Sequence, residues 1–134
     1  MDNYKHSAHS KHSLMVHLIF VTKYRKKLFI DDIRNNDIKQ FMYEGCLKYG
    51  YEIVQMESDK DHIHLLVAYK PKESVSNIAK KLKQFSTQKM WKYHYKYLKH
   101  EYWQKETLWS DGYFACSIGQ ISKATIEKYI ANQG

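Results

Sequence analysis

The chain is poor in the residues that mark linkers, cross-links and membrane spans. Of its 134 residues, one is proline and five are glycine, so no flexible linker divides it and we expect a single domain over residues 1–134. Its two cysteines, Cys46 and Cys116, lie far apart, which excludes a disulfide framework and a thiolate zinc site. No apolar run has the length of a membrane span, and the polar N-terminus lacks the apolar core of an export signal. We therefore expect a cytoplasmic protein without a membrane partner.

Acidic side chains are scarce relative to basic ones. The 22 lysines and arginines outnumber the 14 aspartates and glutamates, and the formal net charge is +8. Such an excess favours association with a polyanion such as a nucleic acid. A basic protein that is merely soluble would show the same balance, because net charge informs about association and not about fold.

Hydrophobic periodicity predicts strands and helices along most of the chain. Strands are expected at 13–22, 51–57, 62–69 and 113–118, and helices at 30–49, beyond Pro71, across the ambiguous segment 91–103, and at 123–133. This order predicts an α+β fold, the ferredoxin-like split βαβ sandwich, in which a four-stranded antiparallel sheet has helices on one face, plus a C-terminal helix. Residues 1–12 fit neither pattern and are expected to form a flexible N-terminal arm.

Two histidines on the third predicted strand form the first candidate site. His62 and His64 are two residues apart, so both imidazoles should project from one face of the sheet. Neutral imidazole is a common ligand of divalent metals, and this spacing suits chelation. The pattern is equally compatible with two histidines that only face solvent or a neighbouring layer.

The last predicted helix carries a second candidate pair. Tyr129 and Gln133 are four residues apart and therefore share one face of that helix. A tyrosine hydroxyl is a poor nucleophile and needs an electrophile polarised by a metal before it can attack a phosphodiester. The same positions follow the spacing of a core-facing stripe, where a tyrosine usually only packs, and periodicity does not select one tyrosine among twelve.

Four segments of the chain, taken in order, resemble a known family. They are MVHLIFVTKYRKKLF at 15–29, DKDHIHLLV at 59–67, LWSDGYFACSIG at 108–119 and IEKYIANQ at 126–133. Over nearly the whole chain they resemble the single-tyrosine HUH transposases of the insertion-sequence-200/605 type, whose relatives include the REP-associated tyrosine transposases. The abbreviation HUH denotes two histidines that flank a hydrophobic residue.

The resemblance implies a mechanism and a set of roles. It implies that Tyr129 attacks single-stranded DNA and forms a 5′-phosphotyrosine intermediate, and that His62, His64 and Gln133 bind a divalent metal cofactor, Mg²⁺ or Mn²⁺. It also implies homodimers that form through joined strands, and recognition of DNA hairpins near the ends of the mobile element. Whether Tyr129 acts on the histidine pair of its own chain or of a partner stays open.

Two further segments are candidates for contact with DNA. The basic loop after the first strand offers Lys23, Arg25, Lys26 and Lys27 for phosphate contacts, although a solvated basic loop would have the same sequence. The aromatic and basic segment 91–103 could stack on bases, but packing against the core is the favoured interpretation.

Two other functions remain compatible with the sequence. A non-catalytic ferredoxin-like protein could bind single-stranded nucleic acid with the same sheet and lysines. An HUH rolling-circle nuclease would share the histidines and the tyrosine, but such enzymes usually belong to larger chains with a different motif order. We expect a transposase of the bacterial or archaeal cytoplasm, associated with the nucleoid when it acts and without a small-molecule substrate.

Overall fold

Four antiparallel strands form one sheet in the computed structural model, which describes residues 14–117 and 123–133. The helices are α1 (Asp32–Tyr49), α2 (Val75–Tyr93), α3 (Tyr95–Glu101) and α4 (Lys123–Ala131), with a short 3-10 turn at Lys23–Arg25. The strands are β1 (Leu14–Val21), β2 (Glu52–Asp59), β3 (His62–Tyr69) and β4 (Phe114–Ser117), in the order β2-β3-β1-β4 across the sheet. The predicted α+β fold is confirmed.

One face of the sheet is covered by α1, α2 and α3. Ile63, Leu65 and Val67 of β3 are fully buried on this face, because alternate side chains of a strand point the same way. Burial of one such side chain contributes about 1.5–3 kcal/mol to folding. The helices supply the opposing apolar layer, which includes Ile38, Met42, Ile78, Leu82 and Leu98. This layer fixes the position of β3, and with it the side chains on the other face.

Helix α1 begins and ends at residues that suit helix ends. Asp31 is the N-cap, and its side chain accepts a hydrogen bond from the backbone N–H of Arg34 at 2.8 Å. Gly50 ends the helix with a φ of 82°, a left-handed conformation that glycine adopts without steric cost. The helix therefore begins two residues later than predicted.

The segment 91–103 is divided between two helices. The backbone of His94 leaves the helical region, with φ of −129° and ψ of 39°, and separates the end of α2 from the start of α3. Trp91 and Tyr102 are buried in the core, as the packing interpretation expects, whereas Trp103 is exposed. A single uninterrupted helix over this segment is therefore wrong.

The last helix is shorter than predicted. It ends at Ala131. The backbone amide of Gln133 donates to the carbonyl of Ile130, three residues earlier, at 3.0 Å, which is the spacing of a 3-10 turn and not of an α-helix. Gln133 therefore follows the helix instead of extending its face. The predicted arm at 1–12 lies outside the described residues. Within the described residues, no helix is both long and apolar enough to cross a membrane.

Candidate functional site

The second face of the sheet carries histidines in place of apolar core residues. His62 and His64 alternate with the buried residues of β3, so both lie on the face opposite α1 and α2, as their spacing predicts. In the register between β1 and β3, His62 is opposite Val21 and His64 is opposite Ile19. We call this surface the histidine face.

His62 is oriented by a carboxylate that is itself paired with a guanidinium. Its Nδ1 lies 3.0 Å from Oδ1 of Asp61, and Oδ2 of Asp61 lies 3.8 Å from Nε of Arg25. A carboxylate on one ring nitrogen fixes the tautomer and the ring orientation and leaves the other nitrogen for a metal. Asp61 is a site residue that the motif alone does not select, although it directly precedes the first histidine.

A third histidine, His17 of β1, also lies on the histidine face. Its Nδ1 is 3.1 Å from Nε2 of His64, and the two rings have centroids 5.2 Å apart. The two residues are diagonal neighbours across the β1–β3 pair. Burial, and to a smaller extent the charge of His17, lowers the pKa of His64 and so favours the neutral imidazole that a metal requires. Sequence reasoning missed His17, because it lies in a strand that is apolar on both faces.

Helix α4 packs on the histidine face of its own chain. Ile130 is buried against Ile19 and Val21 of β1. The ring of Tyr129 packs on Phe114 of β4, with ring centroids 5.4 Å apart. Burial raises the pKa of the Tyr129 phenol, so the hydroxyl keeps its proton at neutral pH.

Tyr129 lies on the same face as the histidine pair but packs over a different strand. Phe114 is opposite Ile19 in the β1–β4 pair, and Ile19 is opposite His64 in the β1–β3 pair. Two strand spacings, about 10 Å, therefore separate the backbone beneath Tyr129 from the backbone of His64. Over the described residues, no hydrogen bond joins Tyr129 to either histidine of the pair.

Gln133 lies at the end of β1, next to the strand that carries His62. Its Oε1 is 3.5 Å from Oγ of Ser110. The backbone N–H of Ser110 donates to the carbonyl of Val21 at 2.7 Å, and Val21 is opposite His62. The chain therefore brings Gln133 to the same end of the sheet as the first histidine.

Lys83 of α2 anchors the loop that contacts Gln133. Its Nζ donates to the carbonyls of Ser110 at 2.9 Å and Gly112 at 2.8 Å. Burial lowers the pKa of this lysine, but the two carbonyls satisfy its ammonium group. The contact connects the helix layer to the loop beside the candidate site.

Most of the cations predicted to bind DNA are paired with carboxylates of the same chain. Lys27 is exposed. Partly exposed ion pairs of this kind contribute little to stability, so their cations can exchange a carboxylate for a phosphate at small cost. The three pairs are Lys23–Asp111 at 3.9 Å, Arg25–Asp61 at 3.8 Å and Lys26–Glu101 at 3.4 Å.

The histidine face offers two neutral imidazole donors, those of His62 and His64. Over residues 14–117 and 123–133, no group of three or more His, Cys, Asp and Glu side chains could hold a metal ion. A site formed by His62 and His64 therefore needs a third donor of another type, and the described structure places the amide of Gln133 at the same end of the sheet without bringing it to the pair. Neutral donors of this kind leave room for phosphate oxygens to complete the coordination shell.

Known proteins with similar sequences are transposases. The family model described as Transposase IS200 like matches residues 10–133. The ISDra2 transposase TnpA of Deinococcus radiodurans is 30% identical over 122 residues, which cover 91% of this chain and 85% of that protein. The transposase for insertion sequence element IS200 of Salmonella typhimurium is 30% identical over 133 residues, which cover 99% of this chain and 85% of that protein.

Solved structures show the same relationship. A transposase crystal structure from Deinococcus radiodurans matches with a TM-score of 0.79 at 30% identity, over 90% of each chain. The structure of a REP-associated tyrosine transposase bound to a REP hairpin matches with a TM-score of 0.55 at 10% identity, over 89% of this chain and 63% of that one, and shows likeness of fold alone. Fold and sequence together define a transposase. The chain belongs to the IS200-like transposase family, which confirms the resemblance found in the sequence.

Proposed function

We propose that this transposase cleaves and rejoins single-stranded DNA with Tyr129 as its nucleophile. The observation that carries the proposal is the arrangement of the histidine face, on which the helix of Tyr129 packs against β1 and β4, beside the strand that holds His62 and His64. A tyrosine that served only to fill the core would not require a histidine pair on the same face, oriented by Asp61.

The cleavage step conserves the number of phosphodiester bonds. The phenolic oxygen of Tyr129 bonds to phosphorus, the bond from phosphorus to the 3′-oxygen breaks, and the leaving 3′-oxygen takes up a proton in exchange for the one that the phenol loses. The downstream strand stays attached to Tyr129 through its 5′-phosphate. In the rejoining step a 3′-hydroxyl attacks the same phosphorus and releases the tyrosine, so no external energy source is needed.

His62, His64 and Gln133 are the residues that would hold Mg²⁺ or Mn²⁺. When bound, the ion would stabilise negative charge on the non-bridging phosphate oxygens. Asp61 and His17 contribute by orienting the two imidazoles, since each contacts one ring nitrogen. The donor set is thus supported by neighbouring side chains before DNA binds.

The proposed substrate is single-stranded DNA with a hairpin near each end of the mobile element. The basic loop at Lys23–Arg25 closely follows β1 and contacts the residue before His62, because Nε of Arg25 lies 3.8 Å from Oδ2 of Asp61. Its cations are therefore close to any strand that reaches the histidine pair. Among the relatives, the REP-associated transposase was solved with a REP hairpin.

A homodimer is part of the proposal. Strand β4 is at the edge of the sheet, and Ala115, Cys116 and Ser117 are exposed along it. An exposed edge strand presents backbone N–H and C=O groups with which a strand of a second copy can pair, so that the sheet continues into the partner. Pairing along β4 would bring α4 of one subunit close to the histidine face of the other.

The proposal is tested by covalent capture of DNA. Single-stranded oligonucleotides that carry a hairpin, randomised flanks and a 3′-label are incubated with Mn²⁺ and the protein, and denaturing gels are scanned for labelled protein. We expect an adduct with the wild type and none with Tyr129→Phe, because the phenolic oxygen is the nucleophile. Tyr95→Phe is the matched control, since Tyr95 is an exposed tyrosine of α3.

Two outcomes would contradict the proposal. An undiminished adduct in Tyr129→Phe would show that another residue is the nucleophile. Tight hairpin binding by the wild type without any adduct would favour the non-catalytic binding function instead.

A further inference from the structure

A small cavity lies beside the candidate site, between the 3-10 turn and the segment that follows α3. Its volume is about 210 Å³, enough for one planar ring system and too small for a drug-sized ligand. Its lining combines three aromatic rings, two lysines, the carboxylates of Glu101 and Asp111, and uncharged polar side chains. These include Lys23, Tyr24, Trp103, Lys105, Thr107 and Asp111.

Two of the three aromatic rings that line this cavity are exposed to an extent that core packing does not explain. Tyr24 is 66% exposed and Trp103 is 70% exposed. Tyr102, the third aromatic residue of the cavity wall, is buried, and its hydroxyl donates to the carbonyl of Lys23 at 2.8 Å. The buried tyrosine fixes the turn and contacts the ring of Tyr24, with ring centroids 6.4 Å apart, while most of the Tyr24 and Trp103 surface stays in solvent.

The backbone that presents Tyr24 is strained. Tyr24 has a φ of 61° and Arg25 a φ of 53°, left-handed values that side chains with a Cβ rarely adopt. The turn is held by the amide of Arg25, which donates to the carbonyl of Thr22 at 2.9 Å, and by the amide of Lys23, which donates to Leu108 at 2.8 Å. Strain that is maintained by surrounding bonds and leaves an aromatic ring in solvent is typical of a ligand-binding site.

Two short connections join the cavity to the candidate metal ligands. Asp111, in the cavity wall, follows Ser110, whose hydroxyl lies 3.5 Å from Oε1 of Gln133. On the other side, Thr22 precedes the cavity residue Lys23 and bonds to the carbonyl of Asp61, next to His62. A nucleotide in the cavity would therefore be a near neighbour of a phosphate held at the histidine face.

We propose that this cavity binds one unpaired nucleobase of the single-stranded DNA, next to the phosphate that is cleaved. Tyr24 and Trp103 provide faces on which a base can stack. Lys23 and Lys105 line the same cavity and supply cations for its backbone phosphates, with Nζ of Lys23 5.5 Å from the centroid of the Tyr24 ring. Thr107 and Asp111 offer hydrogen-bonding groups to the edge of the base. This inference rests on the proposed function, because it takes the substrate to be single-stranded DNA.

The first test is the fluorescence of Trp103. Trp91 and Trp109 are buried, so a base that stacks at the cavity should quench only the exposed indole. We expect the hairpin oligonucleotides with randomised flanks to quench the tryptophan fluorescence of the wild type and to leave that of Trp103→Phe unchanged. Binding of the DNA without a change in the fluorescence of Trp103 would overturn the proposal.

The second test removes single bases from the DNA. One abasic position in a bound oligonucleotide should weaken binding to the wild type about 5- to 150-fold, the range expected for loss of one stacked base. The same abasic position should not lower the affinity of Tyr24→Leu for DNA any further, because the aromatic face on which the base stacks is already absent. Tyr43→Leu, an exposed tyrosine of α1, should respond as the wild type does. Equal abasic losses in wild type and Tyr24→Leu would contradict the assignment.

These measurements separate the inference from the function on which it rests. Suppose that the wild type forms the Tyr129 adduct, but DNA does not quench Trp103 and an abasic position lowers the affinity of the wild type no more than that of Tyr24→Leu. The cavity assignment is then wrong and the cleavage proposal stands. If Trp103 is quenched while no adduct forms, the cavity binds DNA and the cleavage proposal is wrong.

Discussion

The two faces of β3 differ in chemistry although they share one backbone. Ile63, Leu65 and Val67 are fully buried beneath the helices, whereas His62 and His64 project from the opposite face. Because every second residue of the strand is packed in the core, the backbone that carries the histidines is held in one position. The fold and the proposed chemistry therefore depend on different residues of one strand and should respond separately to substitution.

The largest separation is expected at the histidine pair. His64→Ala should lower DNA cleavage about 100- to 1,000-fold, the loss typical of removing one group that stabilises charge in the transition state. Hairpin affinity should change little, since phosphate contacts elsewhere provide it. Single-turnover cleavage and hairpin binding are measured on the same preparation. Equal loss of both activities would show that the histidine face is needed for DNA binding rather than for chemistry.

The complementary change on the core face is Leu65→Ala. It should lower the free energy of unfolding by about 2–5 kcal/mol, because it removes buried methyl groups and leaves a cavity. Cleavage per folded molecule should persist, and chemical denaturation reports the stability. A stable Leu65→Ala protein without cleavage would contradict the division between the two faces.

A smaller effect is expected where one histidine orients another. His17→Leu removes the nitrogen that contacts Nε2 of His64 and should weaken Mn²⁺ binding about 10- to 100-fold. His17→Asn, which can keep a hydrogen-bonding atom near the same position, should retain most of the affinity. Calorimetric titration of Mn²⁺ into the folded protein gives both values. Wild-type affinity in His17→Leu would show that His64 needs no such support.

The smallest effect is expected at the two cysteines, which differ in their reactivity with alkylating reagents. Cys46 lies in the core beneath the helices, and Cys116 lies on the exposed edge strand. Burial raises the pKa of the Cys46 thiol to about 12, so its reactive thiolate is negligible at pH 8. Cys116 is exposed on β4 and is opposite His17. Mass spectrometry after treatment with iodoacetamide should find Cys116 alkylated and Cys46 intact in the folded protein, and both alkylated in denaturant. Rapid alkylation of native Cys46 would mean that the helix layer opens readily.

The sequence predicts more of the fold than of the site. Alternation along β3 is a local signal, and it places both histidines on one face without knowledge of any other strand. The contact between His17 and His64 depends on the pairing of β1 with β3, which local periodicity does not reveal. The role of Asp61 is equally hidden from local periodicity, because its contact with Arg25 joins two segments that are far apart in the sequence.

The C-terminal helix shows the limit of reasoning from spacing. Tyr129 and Gln133 are four residues apart, but the helix ends at Ala131 and Gln133 is placed by a contact with Ser110 instead. The basic loop shows the same limit. Its charge is evident in the sequence, whereas the carboxylates that pair with Lys23 and Lys26 come from distant segments.

The most direct measurement is the position of the DNA on the protein chain after cleavage. The covalent product is digested with protease and nuclease, and tandem mass spectrometry locates the residue that retains a nucleotide. We predict one modified peptide, with a 5′-nucleotide on the phenolic oxygen of Tyr129, and about 100- to 1,000-fold less of it when the reaction time is matched for His64→Ala. A nucleotide on any other residue, or an unmodified Tyr129 in a sample that has cleaved its DNA, would contradict this prediction.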